Sequence, residues 1–268
     1  IYPKKIWLIW FLTLIYLYES DSSAIGAIIG TTAAMAQRAV FAAAGAAGAG
    51  LGAAFGVTAM LRRDKPLHPV GIVAPARLVV TPVPAASDQT RSGSPLLDEP
   101  AEYSCVVRAS YSVGTGPERA DIEGLALRVL GPQPDDVVAD ILFASTGVSG
   151  IGRHVLVLRR AGEHAAMTTL LPVRSENGSL YLRVDPVDAR SRPWPSEYRL
   201  SWALGLGQWR SVGTLAVRWG EPLDAPERFD PIEFPLPGTR QYPVITALRE
   251  PAYRFSRLAW PRAGRLPA

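Results

Sequence analysis

A succession of short apolar segments, each bounded by Gly, Pro or Asp, is the feature that most constrains what this chain can fold into. Short runs of this kind between turn residues are typical of β-strands, and many of them at close spacing predict a β-barrel or a sandwich. The predicted strands cover residues 71–81, 103–112, 124–130, 138–144, 155–158, 180–184, 198–203 and 213–219.

Two helices are predicted beside the strands. The first is a short helix over residues 161–170, and the second covers residues 243–258, with Pro251 in its interior. The class is therefore α+β, with an antiparallel barrel as its core and helices at its periphery.

The composition changes abruptly near Met35. Seven of the 13 isoleucines fall within the first 29 residues, and the later chain is rich in Ala, Gly, Arg, Pro and Val. Residues 1–34 are thus an apolar extension with two open interpretations: an upstream reading-frame extension with Met35 as the true start, or a genuine first membrane segment.

An uncharged stretch of 23 residues at 39–61 is long enough to cross a bilayer as a helix. This stretch lies within residues 35–65, which we predict to be a transmembrane helix with a basic flank. The chain is thus expected to have one or two N-terminal transmembrane helices, followed by a domain at 66–268. Gly48, Gly52 and Gly56 form a small-residue stripe on this helix. Such a stripe is typical of helix–helix contact in membranes and predicts a homo-oligomer, although a low-complexity run without a partner fits equally.

Positive residues decide the predicted orientation. Arg62, Arg63 and Lys65 follow the stretch, and positive flanks prefer the cytoplasmic side. We therefore expect a cell-membrane protein with its folded domain in the cytoplasm. A cleaved secretory signal is the competing interpretation, but no convincing small-x-small cleavage site supports it.

Several function classes are disfavoured by what the sequence lacks. The net charge of +4 is too diffuse to indicate nucleic-acid binding, and a single cysteine, Cys105, excludes an internal disulfide. No phosphate-binding loop, dinucleotide fingerprint or nucleophile elbow occurs. His68, His154 and His164 lack metal-ligand spacing. Asp121 and Glu123 have the residue types of an acid/base pair, but a structural role fits them better.

Arg249 and Tyr253 lie four residues apart on the second predicted helix, and such side chains share one face. A tyrosine binds ferric haem iron best as phenolate, and a guanidinium close by favours that charged form. The pair is therefore a candidate haem ligand with its stabilising cation, or a surface arginine beside a half-buried tyrosine.

Several blocks between residues 67 and 258 resemble the haem catalase superfamily, especially its small catalase-related members. His68, Gly71 and Thr81 match the spacing of that family's opening strand. The other similar blocks are Arg108-Ala-Ser110, the stretch 120–129, Asp140-Ile-Leu-Phe143 and the helix 249–257. The chain also resembles an actinobacterial membrane-associated subgroup often labelled phosphodiesterase, but no metal-ligand set supports that label.

The resemblance implies a catalase-like barrel with haem as its cofactor. Tyr253 would be the axial ligand and hence the metal-binding residue, Arg249 would stabilise its phenolate, and Arg108 would pair with a haem propionate. His68 would be the catalytic acid/base on the opposite haem face. The implied activity is an oxidoreductase that acts on peroxide or, more readily, on organic hydroperoxides.

Two departures from the family pattern are visible. Ala144-Ser145-Thr146 stands where the distal Asn is expected, and Glu123 replaces the Arg before Gly124. Residues 194–233 show no similarity to the family. The alternative is therefore a catalase-fold protein that has lost haem and acts as a lipid- or partner-binding module.

Overall fold

The computed structural model describes residues 71–82, 91–112, 120–133, 136–191, 193–221 and 228–259. The predicted membrane segments, the glycine stripe and His68 lie outside these residues. Within the described ranges, no helix has the length and apolar character needed to cross a bilayer.

Nine antiparallel strands are present in the part of the chain that the structure describes. Val, Leu and Tyr are frequent in them, and turn residues separate them, as expected for strands. They are β1 (Gly71–Val80), β2 (Ala101–Tyr111), β3 (Glu123–Leu130), β4 (Val137–Ser145), β5 (Met167–Thr168), β6 (Val173–Ser175), β7 (Gly178–Pro186), β8 (Glu197–Leu204) and β9 (Arg210–Val217).

The sheet closes into a barrel. The strand order is β5-β4-β3-β2-β1-β9-β8-β7-β6, and β5 also pairs with β7. Eight strands therefore complete the ring. Among the named strands β6 pairs with β7 alone, and its Arg174 also bridges to Arg240. We call the end at which β1 and β3 begin, and at which β2, β4 and β7 end, the upper end; the other is the lower end.

Alternation along the strands separates the inside of the barrel from the outside. In β1 the side chains of Ala74, Ala76, Leu78 and Val80 are buried in the core. Directly paired residues point to the same side of a sheet, so the odd-numbered positions of β2, β3 and β4 also face inwards. Arg108 and Gly71 therefore lie on the outer face, and Glu123 lies on the inner face.

Two helices flank the barrel. The one-turn helix α1 (Pro95–Asp98) follows the loop after β1, and α2 (Pro243–Ala259) ends the described chain. The start of α2 is attached near the lower end, where the Tyr242 hydroxyl lies 2.9 Å from that of Ser179, the second residue of β7. Ile245 is fully buried there.

The structure confirms the helix at 243–258 and a strand at seven of the eight predicted positions. The strand predicted at 155–158 is wrong. This segment makes an isolated bridge, from Leu156 to Thr146, and no continuous strand. The helix predicted over 161–170 is also wrong. Gly162 adopts φ 81° in a turn, and the carbonyls of Ala165 and Ala166 accept bonds from the Arg159 side chain instead of from a helix.

Candidate functional site

A buried carboxylate lies inside the upper end of the barrel. Glu123 begins β3 in phase with the core residues Leu125 and Leu127, and its side chain is fully buried. One carboxylate oxygen lies 2.5 Å from Nδ1 of His164, and the other accepts a bond of 3.2 Å from Arg159. A buried charge without partners would strongly destabilise the fold, so these two side chains are what allow Glu123 to occupy the interior.

Hydrogen bonds hold both the backbone and the side chain of Arg159. Its backbone makes two hydrogen bonds with Asp121, of 2.8 and 2.9 Å. Its guanidinium also donates to the carbonyls of Ala165 and Ala166, at 2.9 and 2.6 Å. The fork of donors is thus fixed between Glu123 and the chain that leads into β5.

His164 uses both ring nitrogens. Nε2 lies 3.2 Å from the carbonyl oxygen of Pro193, so each ring nitrogen faces an oxygen atom. Nδ1 faces the carboxylate of Glu123. With both nitrogens engaged, His164 has no lone pair directed at solvent and is a structural residue rather than a general base.

An aromatic layer covers this cluster. The Trp194 ring packs against His164 and against Tyr111, with ring centroids 5.1 Å apart in each case. Trp194 is 5% exposed. The interior of the upper end is therefore closed by an indole stacked over an ion cluster.

Tyr198 lies in the core next to this cluster. Its hydroxyl is buried, and among the described residues it has no hydrogen-bond partner. Burial raises the pKa of this phenol far above its usual value, and the negative charge of Glu123 adds to the effect. Tyr198 thus remains a neutral phenol.

On the outer face of the upper end, Arg108 lies across the first residue of β1. A Cβ atom placed on Gly71 would stand 2.7 Å from the guanidinium carbon of Arg108. The glycine therefore leaves the space that this guanidinium occupies. His68 lies three residues before Gly71 in the sequence and outside the described residues.

The other predicted pair lies on α2. Arg249 and Tyr253 are one helical turn apart, and each is partly buried. The structure confirms the helix that carries both residues. Whether Tyr253 meets His68 across a common pocket stays a prediction, because His68 is outside the described residues.

Known structures resemble this barrel. A fungal catalase matches with a TM-score of 0.51 at 12% identity, over 78% of this chain and 61% of that chain. Catalase A from Saccharomyces cerevisiae and a bacterial catalase each match with a TM-score of 0.49 at 12% identity, over 78% of this chain and 64% and 60% of theirs. No family model and no curated protein matches the chain.

The fold is catalase-like. At 12% identity the likeness to the fungal catalase shows the fold alone. The chain spans about three fifths of the length of the catalases that it matches.

Within the catalase-like barrel, the residues that replace the expected distal Asn are committed to internal bonds. The Ser145 hydroxyl accepts from the Glu123 amide at 3.0 Å and donates to the Val157 carbonyl at 2.6 Å. The Thr146 hydroxyl lies 2.8 Å from that of Thr168. Both residues are buried, and both hydroxyls are engaged inside the protein.

The cluster of Glu123, Arg159, His164 and Trp194 was missed by the sequence analysis. The available signal was the position of Glu123, which lies two residues before Leu125 and four before Leu127 and so shares their face of the strand. A carboxylate on that inward face needs partners. Its partners lie 36 and 41 residues further along the chain, and no local spacing in the sequence predicts them.

Proposed function

We propose that this protein is a membrane-anchored, haem-dependent peroxidase that reduces hydroperoxides, with Tyr253 as the axial ligand. The observation that carries the proposal is the position of Arg108 on the catalase-like barrel, over Gly71 and next to the point where the chain arrives from His68. A partly buried guanidinium there suits a carboxylate of a cofactor.

The residues present fit haem in part. Tyr253 offers a phenol oxygen, and Arg249, one turn away, favours the phenolate that an iron ligand requires. Arg108 supplies a planar fork for a propionate. The amide expected on the peroxide side is missing, since Ala144-Ser145-Thr146 occupies that position.

When bound, haem would supply the redox chemistry. The chain's own contribution would then be His68, which takes a proton from the near oxygen of the hydroperoxide and delivers it to the leaving oxygen. Because no amide holds a second small peroxide molecule, we expect weak catalase turnover and faster reduction of organic hydroperoxides.

An absorption spectrum tests the proposal directly. The full chain, purified from cells supplied with haem precursor, should show a Soret band that falls at least about tenfold in Tyr253→Phe. Tyr103→Phe, a change on β2 inside the barrel, is the matched control and should keep the band. A folded protein that shows no Soret band, even after addition of hemin, would rule the proposal out.

A second candidate is a haem-free barrel that binds a lipid or a partner protein. It is favoured by the buried Glu123 cluster and the Trp194 layer, which stabilise the barrel without any cofactor. The same spectrum separates the two: cooperative unfolding in a protein that takes up no hemin supports this second candidate.

Localisation and assembly belong to the same proposal. The uncharged stretch at 39–61 and the basic residues after it support a cell-membrane anchor with the barrel on the cytoplasmic side. The stripe of Gly48, Gly52 and Gly56 supports association of anchors from neighbouring chains.

A further inference from the structure

The upper end of the barrel carries exposed apolar side chains. They are Ile72 (39% exposed), Leu156 (37%), Val157 (38%), Leu158 (63%) and Val187 (55%), and we call them the apolar rim. We propose that the apolar rim rests on the surface of a lipid bilayer and inserts its side chains at the headgroup boundary.

The rim residues come from separate positions around the ring of strands. Ile72 is the second residue of β1, and Val187 directly follows the end of β7. Residues 156–158 lie between the start of β3 and the end of β4. Leu156 bridges to Thr146, and Arg159, which follows the segment, bridges to Asp121. A set distributed around the end of a barrel suits a flat surface better than it suits a single groove.

The most exposed part of the rim is held by hydrogen bonds. The Val157 amide donates to the Ser145 carbonyl at 2.8 Å, and the Val157 carbonyl accepts from the Ser145 hydroxyl at 2.6 Å. Arg159, the next residue after Leu158, is anchored to Asp121 and Glu123. The apolar side chains are thus presented by fixed backbone, so that little ordering opposes their burial.

Chain connectivity points to a bilayer as the occupant. The uncharged stretch at 39–61 ends ten residues before Gly71, and Gly71 begins β1 at the upper end. Ten residues reach at most roughly 35 Å, so a span at 39–61 would hold the point where β1 begins within that distance of the membrane. Burial of apolar side chains at the interface would then favour docking of the rim. The proposal rests on the membrane anchor of the proposed function and not on haem.

Depth-dependent fluorescence quenching tests the docking. In the full chain the native Cys105 is buried, and burial raises the pKa of its thiol to about 12, so an added surface cysteine can be labelled selectively. Leu158→Cys places an environment-sensitive fluorophore on the rim. Leu206→Cys, at the β8–β9 turn of the lower end, is the matched control, with 42% exposure of the native side chain.

The labelled proteins are reconstituted in phosphatidylcholine–phosphatidylglycerol vesicles, with and without lipids that carry a nitroxide near the headgroup. We expect a blue shift and at least twofold quenching at position 158, with neither at position 206. In the Leu158→Cys protein, adding Val187→Asp should reduce the quenching, while circular dichroism stays unchanged.

Three results would overturn the proposal. The first is no quenching at position 158, and the second is equal quenching at both positions. The third is a blue shift at position 158 without nitroxide quenching, because a second copy or another protein segment would then cover the rim.

Discussion

His164 Nδ1 lies 2.5 Å from a carboxylate oxygen of Glu123 inside the upper end of the barrel, and both side chains are buried. Arg159 contacts the other oxygen of the same carboxylate. An ion cluster therefore occupies an interior that strand alternation would otherwise fill with apolar side chains.

Glu123→Gln should destabilise the fold by about 3–5 kcal/mol, because it leaves the buried guanidinium of Arg159 without its carboxylate partner. The free energy of unfolding from urea titration measures the loss. Glu102→Gln is the control, since it breaks the exposed pair with Arg77, and it should leave the midpoint unchanged. Equal midpoints for wild type and Glu123→Gln would show that the cluster does not stabilise the barrel.

Arg153→Lys should also destabilise the protein, by about 1–3 kcal/mol. Arg153 is 2% exposed, and its guanidinium donates to the carbonyls of Gly205 and Gly207 at 2.7 and 2.9 Å. Its carbon also lies 4.4 Å from the centre of the Trp209 ring. Lysine cannot make the planar two-point contact.

A fluorescence readout makes the Arg153 prediction specific. Tryptophan emission should shift to the red in Arg153→Lys, because the Trp209 indole loses the planar guanidinium that packs on it. Arg210→Lys, a change in the exposed side chain next to Trp202, should have little effect on either measurement. Unchanged stability and emission in Arg153→Lys would contradict the assigned role.

Gly213→Ala should disrupt the junction between β9 and β1. A Cβ atom at this position would stand 2.2 Å from the carbonyl oxygen of Val79, and a backbone atom cannot move aside as a side chain can. We expect a loss of about 2 kcal/mol or more, seen as a lower thermal midpoint. Gly152→Ala is the control, because its Cβ would approach no atom closer than 3.5 Å; an equal drop in both variants would refute the steric explanation.

Alkaline pH should weaken the fold through Cys105. Burial raises the pKa of this thiol from 9.0 to about 12. Above pH 9 the unfolded chain loses this proton while the folded chain keeps it, so the thiol contributes a loss of stability approaching about 1.4 kcal/mol per pH unit, which ends near pH 12. Below pH 9 the thiol makes no difference.

Cys105→Ala isolates this contribution. Its free energy of unfolding should fall less steeply than that of wild type between pH 9 and 11, although its value at pH 7 is lower because of the smaller side chain. The buried phenol of Tyr198 is present in both proteins and therefore cancels in the comparison. Parallel pH profiles would contradict the assignment.

The predictable part of the molecule is its local pattern. Short apolar segments between turn residues located most of the strands, and the helix predicted over 243–258 agrees with α2. The closing strand β5 was not predictable in this way, since two residues carry no periodicity. The partners of Glu123 depend on loops that cross the barrel end, so sequence distance gives no information about them.

The candidate haem site also has a part that local sequence pattern predicts and a part that depends on tertiary contacts. Arg108 could be assigned to a strand, and the structure adds its place over Gly71, which follows from pairing between β1 and β2. The internal bonds of Ser145 and Thr146 could not be predicted, because hydroxyl partners such as Val157 and Thr168 are set by the tertiary fold.

The short length of strand β5 affects how easily the barrel can open. Ala144 and Ser145 pair with it on one side, and Arg183 and Val184 pair with it on the other. The other strands of the ring are joined by longer ladders, with five residue pairs between β1 and β9 and at least six at every other junction. The cylinder therefore has one seam, where a local opening breaks few hydrogen bonds and leaves an otherwise intact curved sheet. Amide hydrogens beside this seam should exchange with solvent before those at any other junction.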